Sequence, residues 1–314
     1  MTNTIAGLQD QPLRAITLMV VGIFMFSIAD ALIKAMSGIY PTGEVVAFRN
    51  FFACGPMFFF FYRYARGSVF QTKKLFLQIF RGFIGFISMA FAFLAFKFMP
   101  LADAVSLTMS GTIFLAILSG LILKEKVCRS RWIAILLGFA GVLIITRPGA
   151  SVFSGAAIFA IGSAMLFAIS AVCVRYLSRT DSASTTVFYF ILVCLVCSIL
   201  TIPAQWIFPD SSWVRQGIVG WVTPTWTDIL ILGLIGFIGG SAQIAVTQAF
   251  RIASGPIVAP FQYTDIIYSM IIGYIFWSEV PDIFLYIGAL LITLSGIFIV
   301  RYEVKKRLVP KRAL

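Results

Sequence analysis

Charged and amide side chains set inside long apolar runs are the places where this sequence can do chemistry. Asp265 lies about nine residues into the apolar stretch 256–277. At about 1.5 Å per residue that puts it roughly 13 Å deep, near the middle of a bilayer core. Gln262 and Ser269 stand at i−3 and i+4, so they share its helical face. Tyr263 and Tyr268 flank it and offer rings to a planar molecule, and Gln243 and Gln248 add amides in the preceding stretch. A carboxylate at that depth binds a cationic substrate group, holds a coupling proton or pairs with an arginine. The expected substrate-binding set is Asp265, Gln262, Tyr263, Gln243 and Ser269. A second set, Asp30, Arg49, Arg81, Glu125 and Glu279, supplies counter-charges or gates. Asp30 precedes Lys34 by one turn, which predicts an i,i+4 pair. Arg49 has Glu44 or Asp30 as expected partners, and Arg81 is placed to snorkel to the nearer membrane face.

Other chemistries lack their residues. The chain has no His, which excludes His-based zinc sites, a Ser-His-Asp triad and a His proton relay. There is no phosphate-binding or dinucleotide glycine fingerprint and no metal-ligand cluster. Cys194-x-x-Cys197 has a redox spacing but lacks the strand-turn-helix context, so it reads as two small apolar residues on a helix. No catalytic residue, cofactor or metal is expected. Gradient-driven transport fits better than an enzyme or sensor, because the acids are spread over several segments rather than clustered at one interface.

The elements that position these groups must be membrane helices. The chain is 60% hydrophobic and only 11% charged, against about 25% charged in soluble domains. Ten apolar stretches are predicted to span the bilayer, near 15–33, 44–62, 77–97, 101–123, 132–147, 155–177, 184–207, 228–250, 256–277 and 282–300. The fold class is therefore an all-α membrane protein. The net charge of +12 is a topology signal and no sign of nucleic acid. Only Lys34, Lys97, Arg147 and Arg215 fall on one side and Arg49 and Arg81 within spans; the other basic residues share the side of both termini. That bias puts both termini in the cytoplasm.

The sequence also repeats itself. A shift of 154 lays Gly82-Phe83-Ile84-Gly85 on Gly236-Phe237-Ile238-Gly239, Glu125 on Glu279 and Arg147 on Arg301. A shift of 141 lays Lys34 on Arg175. Two copies of five spans each must enter the membrane in opposite senses, so the ten helices form two inverted five-helix repeats with a site expected between them. The expected units are 12–148 and 152–303, followed by a basic cytoplasmic tail, 304–314. Matched glutamates, Glu125 and Glu279, then lie at opposite faces, as a cap or gate lock would.

These halves resemble the drug/metabolite transporter superfamily, EamA-like branch. The matching pieces are Phe48-Arg49-Asn50, Arg81-Gly82, Pro100 to Ala104, Lys124-Glu125-Lys126, Ala259 to Thr264 and Ser278 to Asp282. The resemblance implies a bacterial inner-membrane transporter whose cavity is lined by spans 1, 3, 4, 6, 8 and 9, with spans 5 and 10 supporting from outside. It implies substrates such as amino acids, S-adenosylmethionine, riboflavin, nucleotide-type metabolites or opine metallophores. Riboflavin is the lead expectation, with S-adenosylmethionine uptake next and amino-acid or metabolite export third. The expected partners are a small-molecule substrate and the lipid bilayer; a homodimer is left open.

Overall fold

The computed structural model describes residues 12–64, 71–122, 129–146, 155–177, 180–181, 183–201, 203–207, 218, 220–252 and 259–308. The described chain is helical: α1 Pro12–Ser37, α2 Thr42–Tyr64, α3 Leu75–Phe98, α4 Leu101–Thr108, α5 Gly111–Ile122, α6 Arg129–Thr146, α7 Ala156–Leu177, α8 Ala183–Thr201 and α9 Ala204–Ile207. After these come α10 Trp226–Ile252, a 3-10 turn Ala259–Tyr263, α11 Thr264–Trp277 and α12 Ile283–Leu308. Among the described residues, four helices are individually long and apolar enough to cross a membrane, within α1, α3, α7 and α10. Large side chains such as Phe59, Phe76, Leu230 and Phe276 face outward, which suits lipid as the surrounding solvent.

Two of the expected spans are broken. Residues 101–123 were expected as one helix, but α4 stops at Thr108 and α5 begins at Gly111. Residues 256–277 likewise divide, with the 3-10 turn giving way to α11 at Thr264. The breaks coincide in the 154 register. Ser110 Oγ donates to Leu107 O at 2.6 Å, and Thr264 Oγ1 donates to Phe261 O at 2.7 Å. Each hydroxyl bonds a carbonyl of the turn at the break, one way in which a helix can be interrupted inside a membrane.

Helices of the first half pack mainly on helices of the second: α1 on α10, α3 on α7 and α6 on α12, with α2 on α10 and α8 on α3. Glycines set the close seams. A Cβ on Gly82 would lie 2.6 Å from Val193 Cβ on α8, and one on Gly236 would lie 2.6 Å from Phe52 Cβ and 2.7 Å from Arg49 O on α2. The repeat-matched glycines therefore do the same work, admitting α8 to α3 and α2 to α10. In α6 and α12, a Cβ on Gly141 or Gly288 would meet the other's carbonyl at 2.7 Å.

Candidate functional site

The helices surround a cavity of about 410 Å³. Its charged lining comes from four of them: Asp30 on α1, Arg49 on α2, Arg81 on α3 and Asp265 on α11. Gln243 on α10 and Asn50 on α2 add amides; Phe93, Phe167 and Phe190 add rings. Met109 and Asp265 enter from the two broken spans, where the interruption of the helix lets a side chain turn inward. The resemblance led to an expectation of six lining spans. Here α2 and α8, the second and seventh expected spans, also contribute, because the glycine seams bring them close.

The four charged groups are held in different ways. Ser27 Oγ donates to Asp265 Oδ1 at 2.5 Å, so α1 fixes the carboxylate of α11. Asp30 lies within electrostatic reach of both Asp265 and Arg49. Arg49 Nη1 donates to Met89 Sδ at 2.9 Å, and its guanidinium sits 5.9 Å from the Phe93 ring centre. Arg81 Nη1 donates to Thr186 O at 3.0 Å, with its guanidinium 4.7 Å from the ring of Phe190. Arg81 thus turns toward the cavity wall, where snorkelling to the membrane face was expected.

Other expected site residues lie elsewhere. Gln262, Tyr263 and Ser269 are not among the cavity's lining. Tyr263 is buried in the apolar core, and Ser269 Oγ donates to Ile266 O at 2.9 Å. Tyr268 packs edge-on against Phe24, with ring centres 5.2 Å apart. Helical spacing set these residues near Asp265 in sequence, but Gln262 and Tyr263 lie in the 3-10 turn, where the α-helical spacing does not hold.

The expected Asp30–Lys34 pair is replaced by another. Lys34 Nζ forms an ion pair with Glu279 Oε1 and donates to Met99 O at 3.2 Å. Glu279 Oε2 also accepts from Leu101 N at 2.9 Å, and Lys34 Nζ lies 5.1 Å from the Trp277 ring centre. Asp30 is drawn instead to the cavity and Arg49. Glu44 is likewise committed away from Arg49, its Oε2 accepting from Val222 N at 2.9 Å. Glu125 lies outside the described residues. Sequence reasoning missed Ser27 and Met89. Ser27 stands three residues before Asp30, on the same helical face, and that spacing was the available signal; a methionine among many apolar residues gave none.

The description of the EamA-like transporter family fits residues 13–147 and again residues 154–301. The chain belongs to the EamA-like transporter family. The pseudopaline exporter of Pseudomonas aeruginosa is 30% identical over 91% of this chain and 95% of its own. The riboflavin transporter of Vibrio cholerae is 31% identical over 75% of each chain. The S-adenosylmethionine uptake transporter of Rickettsia bellii is 25% identical over 93% of this chain and 96% of its own. A solved structure shares the fold, with a TM-score of 0.61 over 94% of this chain and 98% of its own at 18% identity. This EamA-like chain is a multi-pass membrane transporter for a small molecule, of a family named for transport rather than for enzymes.

Proposed function

We propose that this chain is a secondary transporter that carries a small organic metabolite across the bacterial inner membrane by alternating access. The observation that carries the proposal is the cavity itself, a mixed-charge chamber walled by helices from both halves of the chain. Residues 12–148 and 152–303 act as two inverted five-helix repeats, with 304–314 as a basic tail. The helix pairings support this reading, because exchanging the halves turns α1 on α10 into α7 on α3, and α2 on α10 into α8 on α3. The register-matched breaks at Ser110 and Thr264 support it too. Rocking of one repeat against the other opens the site to each side in turn. The placement of basic residues puts both termini in the cytoplasm.

In this scheme Asp265 and Gln243 contact the substrate. Gln262, Tyr263 and Ser269 support the broken helix that presents Asp265. Riboflavin led the substrate expectations, and its flat ring suits Phe93, Phe167 and Phe190. Two carboxylates and two guanidinium groups favour a charged metabolite instead. S-adenosylmethionine therefore moves ahead of riboflavin, with amino acids and related metabolites next. The test is flux into proteoliposomes holding the full chain, with labelled S-adenosylmethionine and riboflavin side by side, with and without an imposed proton gradient. Saturable flux of one, blocked by its unlabelled form, is the expected result. Asp265→Asn is expected to abolish that flux while expression and folding persist. Undiminished flux in that variant removes Asp265 from the site.

A further inference from the structure

Two guanidinium groups reach the cavity, and neither has its hydrogen-bonding capacity filled. Among the described residues, Arg81 has one hydrogen-bond acceptor, the carbonyl of Thr186. Its Nε–H is buried with no acceptor. Among the described residues, the titratable groups within its electrostatic reach are the thiols of Cys194 and Cys173, and no carboxylate. Arg49 Nη1 is spent on the thioether of Met89, a weak acceptor, and its Nε–H is also buried without a partner. Arg49 has Asp30 in electrostatic reach; among the described residues Arg81 has no such acid. A cation inside a membrane protein without a counter-charge is costly, and so is each buried donor left unmade. The two arginines come from neighbouring helices α2 and α3 and line one cavity.

We propose that Arg49 and Arg81 form an anion subsite, and that the transported molecule carries a carboxylate that completes it. This inference rests on the transport reading of the same cavity. A guanidinium presents a flat fork of donors that matches the two oxygens of a carboxylate. The rings of Phe93 and Phe190 hold the two forks from one face each, leaving the edges for a ligand. Asp30 and Asp265, from α1 and α11, form an acidic pole beside Arg49 in the same cavity and receive a cationic group. The substrate class is a zwitterion whose carboxylate and cationic centre are both read, and a neutral ring system meets neither pole.

The test compares molecules that differ only by the anion. Full-length protein in detergent is titrated with S-adenosylmethionine against its decarboxylated form, and with benzoate against benzamide, by calorimetry and thermal unfolding. In the wild type the acids bind about tenfold to a hundredfold more tightly than their partners, as expected for charge-assisted hydrogen bonds. Arg81→Gln erases that preference in both pairs. Arg81→Lys keeps a part of it, since the charge stays and the fork goes. If Arg81→Gln does not fold, Arg49→Gln supplies the same comparison. Equal binding within each pair, a preference that survives in Arg81→Gln, or no binding of either acid overturns the subsite. Flux in proteoliposomes separates the two readings. Flux without any acid preference sinks the subsite and leaves transport standing; acid preference without flux of any tested substrate does the reverse.

Discussion

Lys34, Glu279 and the turn before Leu101 meet at one end of α3, while Thr72, Gln78 and Asp181 meet at the other. Both junctions tie the first half of the chain to the second, and they use different forces. At the first, an ion pair with side chains only 10% and 21% exposed joins α1 to the α11–α12 turn, and the same carboxylate holds the amide of Leu101. At the second, Asp181 accepts from the Thr72 hydroxyl, from Gln78 Nε2 at 2.8 Å and from Lys73 N at 3.3 Å. Those bonds come from neutral groups; Asp181 and Thr72 are half-buried, Lys73 is exposed and Gln78 is buried. Coulomb energy between sheltered charges is large and so is the penalty for parting them; hydrogen bonds that water can replace are exchanged cheaply. The contacts near Glu279 are therefore the costlier of the two sets to break, and those near Asp181 the cheaper.

The sharpest way to break that contrast is to remove one charge from the sheltered pair. Glu279→Gln leaves Lys34 half-buried without its counter-charge and weakens the acceptor of the Leu101 amide. A loss of roughly 3 kcal/mol is expected, the scale for stripping one partner from a buried ion pair. Thermal unfolding in detergent reads it. The exchange Lys34→Glu with Glu279→Lys restores the attraction but not the Leu101 cap, so the double variant recovers only part of the loss. Full additivity of the two single changes in that cycle removes the pair as the fastening of this end.

Between the ends run the glycine seams, where neighbouring helices approach closely. A methyl on Gly236 meets the backbone carbonyl of Arg49 at 2.7 Å, and one on Gly82 meets Val193 Cβ at 2.6 Å, an atom fixed to the α8 backbone that no rotamer change moves. Gly233 has ordinary contact distance to Phe52, 3.5 Å at the nearest. Gly236→Ala and Gly82→Ala should therefore each cost about 1–3 kcal/mol, as overpacking does, and Gly233→Ala nearly nothing. Unfolding midpoints of the three variants check the order. Equal tolerance at all three positions means the seams are loose enough to slide.

Much of this was legible in the residues. The apolar runs gave the helices, and the 82-to-236 match marked seams that serve both halves alike. Asp265 and Gln243 stand out as polar groups in apolar surroundings, and both line the cavity. The breaks at Ser110 and Thr264 were not legible, because hydropathy averages over a turn and cannot see one hydroxyl redirect a carbonyl. Pro260, and Gly111 after Ser110, were the faint signs. Partner choice was also hidden. Asp30 has Lys34 as its helical neighbour, yet Lys34 goes to a glutamate 245 residues away. Local spacing fixes which side chains are close along one helix, and only the packing of several helices decides which charges meet.

The smallest effect lies at the end near Asp181. Burial raises the Asp181 carboxyl, but the hydrogen bonds from Thr72, Gln78, Lys73 N and Thr180 outweigh it and hold the group below the ordinary carboxylate range. A carboxyl depressed by folding stabilises the folded state at neutral pH and loses that contribution as pH falls through its folded value. The loss therefore comes in the acid range, beneath the ordinary value of 3.8. Because Asp181 is only half-buried, Asp181→Asn should cost less than about 1 kcal/mol near pH 7. The gap in unfolding midpoint between wild type and Asp181→Asn should then narrow as the pH is lowered through that range. A gap as large as that of Glu279→Gln, or one unchanged by acid, means that this end too is held by a sheltered charge, and the contrast between the ends fails.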